Sequence, residues 1–402
     1  MPTSPHGPVL TNRAAPSKSS RTLTARLEPI LFLAIFAGLL VWLSGTMGIT
    51  NLMNTLMNTA YQLLIDTVLY IMGLAVLAGA VSALFSEFGV TDLINRLLSP
   101  LMRPLYGLPG AGALGIITTY LSDNPAILTL ADDHRFRACF KQYQLPALTN
   151  LGTAFGMGMV VTAFMFGIQG PHGEGFGLAA LVGNAGAIVG SIVSTRLMLH
   201  FTRKVYGTDA PCRNSDQNSA PQTGDPAARP PLGERLITAL LNGGKSGVTM
   251  GVAIVPGVLI ICTLVLVLTN GPAASGLYTG SAYEGVAILP WLGDKVSFLI
   301  KPLFGFSSAA DISVPITALG AAGAAIGLVP KLVASGAATG HDVAVFTAMC
   351  MCWSGYLSTH VAMMSSLKCP ELTGKAIISH TIGGLCAGVA ANWLYQLVTL
   401  IL

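Results

Sequence analysis

One acidic residue stands in the middle of an otherwise apolar stretch. Asp123 belongs to the sequence Ser122-Asp123-Asn124-Pro125, which interrupts the stretch Leu108–Ala131. An ionisable group at membrane depth is costly, and it usually serves an ion or solute pathway. The Asp123 carboxylate can therefore coordinate Na⁺ or carry a proton, or it can simply cap the helix that follows.

Polar neighbours of Asp123 can supply neutral oxygens to the same site. The candidates are Ser122, Asn124, Thr118 and Thr119 beside it, with Asn150 and Thr153 at the start of the next apolar stretch. Asn150 and Thr153 are three positions apart, so they share one face of a helix. Hydrogen bonding between packed helices is the alternative role for this pair.

The second half of the chain carries two histidines in apolar stretches, His360 and His380. Each can take part in proton or metal transport, or can be a buried hydrogen-bonded packing residue. The remaining candidates for solute or ion binding are Thr359, Thr317 and Asn184.

Catalytic and cofactor patterns are missing from the sequence. Gly243-Gly244-Lys245-Ser246 resembles the end of a P-loop, but Ala239 stands where its first glycine belongs. The seven cysteines are scattered and form no disulfide or metal pattern. We therefore expect no enzyme, no resident metal and no cofactor, apart from Na⁺ or H⁺ as a coupling ion.

The composition indicates the elements that hold these residues. Of 402 residues, 52% are hydrophobic and 9% are charged, whereas soluble domains carry about 25% charged residues. The formal net charge of +4 gives no reason to expect a nucleic-acid partner. The 46 glycines suit closely packed membrane helices. The sequence therefore predicts an all-α polytopic protein whose partner is the lipid bilayer.

Seven apolar stretches are long enough, or nearly so, to span the membrane. They are Leu27–Ser44, Tyr61–Phe85, Leu145–Ile168, Phe176–Phe201, Ser246–Thr269, Val343–Leu367 and Ala376–Ile401. Two further stretches, Leu108–Ala131 and Ser307–Lys331, are broken in the middle. If each is a re-entrant hairpin, all of the 21 basic residues except Lys295, Lys301 and Lys331 lie on one side. The positive-inside rule makes that side cytoplasmic, which puts the N-terminus inside and the C-terminus outside.

The sequence also repeats itself. Leu101-Met102-Arg103-Pro104-Leu105-Tyr106-Gly107-Leu108 returns 198 positions later as Leu299-Ile300-Lys301-Pro302-Leu303-Phe304-Gly305-Phe306. Each copy directly precedes a broken stretch. Each repeat has three full spans, an odd number, so the second repeat is inverted relative to the first. This plan is typical of secondary transporters with a binding site near the midplane.

The predicted division of the chain follows from this repeat. It comprises a disordered cytoplasmic tail (1–26), an extra transmembrane helix (27–44), a first repeat (61–204), a cytoplasmic linker (205–233) and an inverted second repeat (234–402).

The residues Gly107–Asp132 with Leu145–Phe166, and Gly305–Lys331 with Val343–Met364, resemble the Gate-domain membrane family, also called the nucleoside-recognition domain. That family is related to the concentrative nucleoside transporters, the spore-maturation membrane proteins and the membrane part of ferrous-iron uptake GTPases. The resemblance implies a transporter-like fold with two inverted repeats and two re-entrant hairpins. It does not transfer the nucleoside as substrate, because only Asp123 and Asn124 match the acidic and amide groups of the nucleoside transporters.

The sequence thus predicts an inner-membrane permease that moves a small polar solute between two hairpins with ion coupling. Two alternatives remain open. One is a non-transporting component that assembles with a membrane-protein partner or with copies of itself. The other is a divalent-metal permease that uses His360 and His380.

Overall fold

The computed structural model describes residues 18–124, 126–212 and 230–402. Apolar stretches and helix-breaking glycines or prolines account for most of the helix boundaries. Within the described residues there is no sheet strand, only two isolated bridges. Most of the predicted tail, 1–17, and most of the predicted linker, 213–229, lie outside the described residues. The first helix begins at Lys18, inside the predicted tail.

The described residues of the first half form ten α-helices, numbered in chain order. They are α1 Lys18–Met47, α2 Ile49–Gln62, α3 Leu69–Glu87, α4 Val90–Leu101, α5 Gly112–Leu121, α6 Ala126–Asp132, α7 His134–Ala138, α8 Ala147–Thr153, α9 Gly158–Gly167 and α10 Gly177–Tyr206. A π-helical segment, Leu63–Val68, joins α2 to α3 without a break, and another, Met102–Tyr106, follows α4.

The second half repeats this order. Its helices are α11 Leu232–Pro256, α12 Thr263–Thr269, α13 Ile288–Lys295, α14 Ser297–Phe304, α15 Ser313–Gly320, α16 Ala322–Ala334, α17 Gly340–Trp353, α18 Tyr356–Ser366 and α19 Thr373–Ile401. The π-helical segment Gly257–Cys262 joins α11 to α12. The 3₁₀ turns Ala309–Ile312 and Pro370–Leu372 precede α15 and α19.

Six helical segments in the described part of the chain are long and apolar enough to cross a membrane. They are Leu27–Met47, Ile49–Glu87, Ala147–Gly167, Gly177–Tyr206, Leu232–Thr269 and Pro370–Ile401. A bent pair, α14 with Ala309–Gly320, makes a seventh if it is counted as one span, although its two parts meet at 80°. The protein is therefore a multi-pass membrane protein. The predicted span Val343–Leu367 is divided into α17 and α18, because Ser354 (φ 23°) and Gly355 (φ 68°) leave helical geometry.

Both broken stretches fold as hairpins. Hairpin one consists of α5 and α6, and hairpin two of α15 and α16. An arm of 10 residues, the length of α5, rises about 15 Å and so reaches only the midplane of the bilayer. The ends of hairpin one are tied together where the Gln144 side-chain amide donates to the Gly107 carbonyl at 3.1 Å. The ends of hairpin two meet where the Ser307 N–H donates to the Asp342 carboxylate at 2.9 Å.

The two ends of the molecule are built from separate sets of contacts. On the hairpin-one side, Arg235 pairs with Glu87 at 2.6 Å, and the Tyr206 hydroxyl donates to Glu371 at 3.2 Å. On the hairpin-two side, the Asn51 amide donates to the Tyr278 carbonyl at 2.9 Å. These contacts agree with hairpins that enter from opposite sides, as the inverted repeat predicts.

Close backbone approach holds the long helices together. A Cβ on Gly243 in α11 would lie 2.2 Å from the Gly79 carbonyl oxygen in α3. A Cβ on Gly190 in α10 would lie 2.5 Å from the Gly383 carbonyl oxygen in α19. Small residues at such contacts are the usual means of packing helices in lipid, where burial of apolar surface drives no association.

The adjacent glycines Gly243 and Gly244 test this packing. We expect Gly243→Ala to lower the free energy of unfolding by about 1–3 kcal/mol, because the new methyl group overlaps α3. Gly244→Ala is the matched control, since its Cβ would meet only the Val76 side chain at 3.5 Å. Thermal unfolding in detergent measures both variants. Equal effects would contradict the close α3–α11 contact.

Candidate functional site

The tip of hairpin one begins where α5 stops. Ser122 adopts φ −135° and ψ −115°, which ends the helix. The Asp123 carboxylate then accepts a hydrogen bond from the Asn124 N–H at 2.7 Å, and the Asp123 carbonyl accepts from the Ala126 N–H at 3.0 Å. The Asp123 side chain therefore contacts the backbone of the adjacent residue at the tip, and its role as a cap or as an ion ligand stays a prediction.

Asn124 makes the contact between the two halves. Its side chain is 1% exposed, and its Nδ2 group donates to the Ser354 carbonyl at 2.6 Å. The Ser354 hydroxyl in turn donates to the Gly156 carbonyl at 3.2 Å. Gly156 has no room for a side chain, because a Cβ there would lie 1.3 Å from Asn124 Oδ1. Hairpin one thus touches both of the other interrupted helices.

Those interruptions are related by the internal repeat. Between α8 and α9, Met157 has φ 55°, and between α17 and α18, Gly355 has φ 68°. The two residues are 198 positions apart, the same offset as the repeated motif. Carbonyl and amide groups at such breaks leave the helical ladder and need other partners.

Hairpin two contacts the break between α17 and α18 through its backbone groups. The Gly355 N–H donates to the Ala318 carbonyl at 2.9 Å, and a Cβ on Gly355 would lie 3.0 Å from the Gly320 carbonyl oxygen. We call the meeting point of Asn124, Gly156, Ser354, Gly355 and Ala318 the junction. It joins both hairpins to both broken helices.

One oxygen at the junction is left without a partner. Asn124 Oδ1 is buried and accepts no hydrogen bond from any residue that the structure describes. A buried polar atom without a partner is rare in folded proteins and asks for an explanation. Amide and carbonyl oxygens at broken membrane helices are typical ligands of Na⁺.

Ser122 and Leu121 extend from the tip into a cavity of about 270 Å³. The opposite wall of this cavity is formed by α3 and α11 and includes Ser82, Asn242 and Ser246. The cavity lies between the hairpin and the glycine-packed pair of long helices, and it offers several hydroxyl and amide groups next to the tip.

The other predicted site residues lie away from this cavity. Most of their side chains bond to carbonyls of their own helices: Thr118 to Leu114 at 2.8 Å, Thr119 to Gly115 at 2.8 Å, Thr317 to Ser313 at 2.7 Å and Thr359 to Gly355 at 3.2 Å. Asn184 donates to the Thr162 hydroxyl at 2.9 Å, and Thr153 lies 3.9 Å from the Met363 sulfur.

Asn150 and His380 belong to a buried polar network. The Asn150 amide donates to Ser194 Oγ at 2.9 Å and to the Ala376 carbonyl at 3.1 Å. His380 Nδ1 lies 2.8 Å from Ser194 Oγ, and His380 Nε2 contacts the Cys352 carbonyl. Because a carbonyl only accepts, Nε2 must carry the hydrogen, so in the neutral ring Nδ1 accepts from Ser194. Every polar atom of the His380 ring is therefore used in packing α10, α17 and α19.

His360 differs from His380 in this respect. Both residues are fully buried, and their ring centroids lie 4.7 Å apart. Within the described part of the chain, neither ring nitrogen of His360 lies in hydrogen-bonding geometry with a partner. Among the described residues, no group of three or more His, Cys, Asp or Glu side chains converges as a metal site would require.

The two histidines form a matched pair for a stability test. We expect His380→Phe to lower the free energy of unfolding by about 2–4 kcal/mol, because it leaves the buried groups of Ser194 and Cys352 unpaired. We expect His360→Phe to be neutral or stabilising, because it removes two unpaired nitrogens and breaks no hydrogen bond. Thermal unfolding in detergent compares them, and a larger loss for His360→Phe would contradict this network.

Sequence reasoning did not identify Gly156, Ser354 or Ser194. Two of these positions carried a usable signal. Gly156 and Ser354 are 198 positions apart, so extending the repeat beyond its motif would have paired them. Ser194 carried no signal, because a serine in an apolar helix is common in membrane proteins.

Comparison with known proteins relates this arrangement to one fold. No protein-family model and no curated protein matches the chain by sequence. Solved structures of the concentrative nucleoside transporter CNTnw do match. Its inward-facing, substrate-bound structure has a TM-score of 0.52 at 14% identity, covering 95% of this chain and 87% of that chain. A CNTnw variant in an outward-facing state has a TM-score of 0.55 at 14% identity, covering 95% and 88%.

This likeness shows a shared fold. The chain has a fold like that of the concentrative nucleoside transporters, which confirms the predicted all-α architecture. The wider relation to the Gate-domain, spore-maturation and iron-uptake proteins stays a prediction.

Proposed function

We propose that this protein is a secondary transporter of the inner membrane, in which the junction binds Na⁺ and couples it to the movement of a small polar solute. The single observation that carries the proposal is the buried, unpartnered Asn124 Oδ1 at the point where both hairpins and both broken helices meet. The likeness to CNTnw, a transporter seen in inward- and outward-facing states, supports it.

The ligand chemistry of the junction favours a hard cation. Asn124 supplies an amide oxygen, and the Gly156 and Ser354 carbonyls each accept one hydrogen bond and keep a second lone pair. Asp123 carries a carboxylate on the adjacent residue of the tip. Oxygen ligands suit hard cations, whereas transition metals prefer imidazole and thiolate ligands. Both ring nitrogens of His380 are used in the buried network with Ser194 and Cys352, and His360 packs against that ring, which disfavours the divalent-metal alternative.

The cavity beside Ser122 is the proposed place of the solute. Its walls carry hydroxyl and amide groups from Ser82, Asn242 and Ser246 but no charged side chain. A small polar solute satisfies such groups by hydrogen bonding. Hairpin two adds no polar side chain at Gly320–Gly323, so its contribution to binding is through backbone groups.

Coupling follows from differential affinity. Na⁺ at the junction ties hairpin one to the broken helices, so it favours the access state in which those parts are together. Solute binding next to the tip of hairpin one further stabilises this access state. Movement of the hairpins relative to α3 and α11 then exposes the solute to the other side.

Orientation and assembly complete the proposal. We propose the orientation that the distribution of basic residues favours, with the N-terminus in the cytoplasm and the C-terminus outside. The most apolar part of α1 is only 11% buried and bears exposed large side chains. We assign this face to lipid or to a second copy of the chain.

Asn124→Ala tests the ion site. In the wild type, Na⁺ should raise the unfolding temperature in detergent above that in K⁺ at equal ionic strength, because Na⁺ binds only the folded state. In Asn124→Ala the Na⁺ concentration that gives half of this effect should rise by at least about tenfold, since an oxygen ligand is lost. Asn392→Ala is the control, because Asn392 is equally buried and its amide donates to the Leu303 carbonyl at 3.0 Å, away from the junction. It should lose stability but keep the Na⁺ response.

Uptake into proteoliposomes tests the transport itself. A panel of labelled nucleosides, sugars and organic acids under a Na⁺ gradient should contain a solute that the wild type accumulates and Asn124→Ala does not. A response to a pH gradient alone would contradict Na⁺ coupling. Uptake of none of these solutes, together with co-purification of another membrane protein, would favour the assembly role.

A further inference from the structure

A second and larger cavity lies on the hairpin-two side, apart from the junction. Its volume is about 530 Å³. The residues that matter here are Asp66 and Thr67 from the π-helical segment, Tyr70 from α3, Phe164 from α9, Tyr283 from the loop before α13 and Lys331 from hairpin two. The proposed Na⁺ and solute sites use none of them.

Two opposite charges line this cavity without neutralising each other. Asp66 and Lys331 are both exposed to it, and neither forms an ion pair within 4.0 Å with any part of the chain that the structure describes. Charged groups within membrane helices normally pair with one another or mark a pathway. The cavity therefore offers one carboxylate and one ammonium group to a ligand.

The lysine is held in place by an aromatic ring. Lys331 Nζ lies 3.9 Å from the centroid of the Tyr283 ring, within the range of a cation–π contact. Tyr283 has a left-handed backbone (φ 68°), and its N–H donates to the Thr59 hydroxyl at 2.8 Å. The Tyr283 backbone is thus anchored to α2, and its ring lies against the Lys331 ammonium group.

The loop that carries Tyr283 is rigid for a clear reason. The Glu284 carboxylate accepts hydrogen bonds from the N–H groups of Thr279 and Gly280 at 3.0–3.1 Å. Burial alone would raise the pKa of Glu284. The hydrogen bond from the Thr279 hydroxyl at 2.6 Å, together with these N–H groups, outweighs burial and holds the pKa below its usual value. The charged carboxylate therefore stabilises the loop conformation. The Asn58 side-chain amide in α2 also donates to the Gly280 carbonyl at 2.9 Å.

Asp66 is presented by an unusual backbone. The segment Leu63–Val68 is π-helical within an otherwise continuous helix of 39 residues. Such segments are rare and occur frequently at functional sites, because the wider turn moves a side chain out of its regular position. Tyr70 and Phe164, with ring centroids 5.7 Å apart, form an aromatic wall beside it.

From these observations we propose that the Asp66–Lys331 cavity is a binding site for a small zwitterion that carries one ammonium and one carboxylate group. The ammonium group pairs with Asp66 next to the aromatic wall, and the carboxylate pairs with Lys331. Binding at this site requires no transport, so the inference stands apart from the proposed Na⁺ and solute sites. A phosphatidylethanolamine headgroup has the same combination of an ammonium and an anion.

Calorimetric titration of the purified protein in phosphatidylglycerol nanodiscs tests the site. The probes are glycine, 4-aminobutyrate and 6-aminohexanoate, which separate the two charges by increasing lengths, and the singly charged butyrate and butylamine. At least one zwitterion should bind at least about tenfold more tightly than butyrate and butylamine, since each of these loses one charged contact. Equal binding of a singly charged probe, or no binding of any zwitterion, would overturn the proposal.

Matched variants identify the cavity. Lys331→Gln and Asp66→Asn should each weaken zwitterion binding at least about tenfold. Lys295→Gln should leave it unchanged, because Lys295 also stacks on an aromatic ring, Trp291 at 5.7 Å, but does not line the cavity. Wild-type affinity in Lys331→Gln would overturn the assignment even if a zwitterion binds elsewhere.

Two further measurements distinguish a lipid headgroup from a free solute as the ligand, and the zwitterion site from the proposed Na⁺ site. Adding phosphatidylethanolamine to the nanodiscs should weaken binding of the soluble zwitterion if the natural ligand is a lipid headgroup, and should not if it is a free solute. Both results support the site. The Na⁺ response of Asp66→Asn reports on the junction separately, so failure of zwitterion binding with an intact Na⁺ response rejects only this inference.

Discussion

The hydrogen bonds at the junction are the interaction on which the rest of the structure depends. Four helical segments, α5, α8, α15 and α17, are interrupted near the junction, and each interruption frees backbone groups that lipid cannot satisfy. Asn124 Nδ2 donates to the Ser354 carbonyl, and the Ser354 hydroxyl donates to the Gly156 carbonyl. The Gly355 N–H donates to the Ala318 carbonyl. The interruptions are tolerated because the freed backbone groups of one segment form hydrogen bonds with groups of another.

This mutual dependence explains why the chain is built as a repeat. A single half would bring one hairpin and one broken helix, and its freed groups would lack partners. The second half supplies the complementary set from the opposite side, and the pairing of Gly156 with Ser354, 198 positions apart, lies where the two copies meet. The same arrangement concentrates polar groups at a point that water does not otherwise reach, which is where an ion or solute site is useful.

Much of the fold could be predicted from the sequence because its signals are local. Runs of apolar residues located the long helices, and the polar break at Asp123 and the glycine-rich break at Gly320–Gly323 located both hairpins. The breaks near Met157 and Gly355 escaped prediction, because glycine is common in membrane helices and a kink there leaves no change in hydropathy.

The site could be predicted only in part. Sequence reasoning gave Asp123 the leading role, because a charge in an apolar stretch is conspicuous. In the structure the Asp123 carboxylate accepts a hydrogen bond from the adjacent Asn124 N–H. The neutral Asn124 side chain instead contacts Ser354, which lies 230 positions away in the sequence. A contact of that separation leaves no mark in a single sequence. The pairing of Asp66 with Lys331 in one cavity escaped prediction for the same reason, since the two residues are distant along the chain.

The central structural claim is that the two hairpins enter from opposite sides of the membrane and that each returns to the side it came from. Labelling with a membrane-impermeant maleimide in sealed vesicles measures this directly, after Cys139 and Cys212 are replaced by serine to lower the background. Single cysteines are introduced by Arg103→Cys and Arg135→Cys, which flank hairpin one, and by Lys301→Cys and Ser335→Cys, which flank hairpin two; all four positions are exposed. The account predicts that the first two are labelled from one side and the last two from the other. A split within either pair, or labelling of all four from one side, would contradict it.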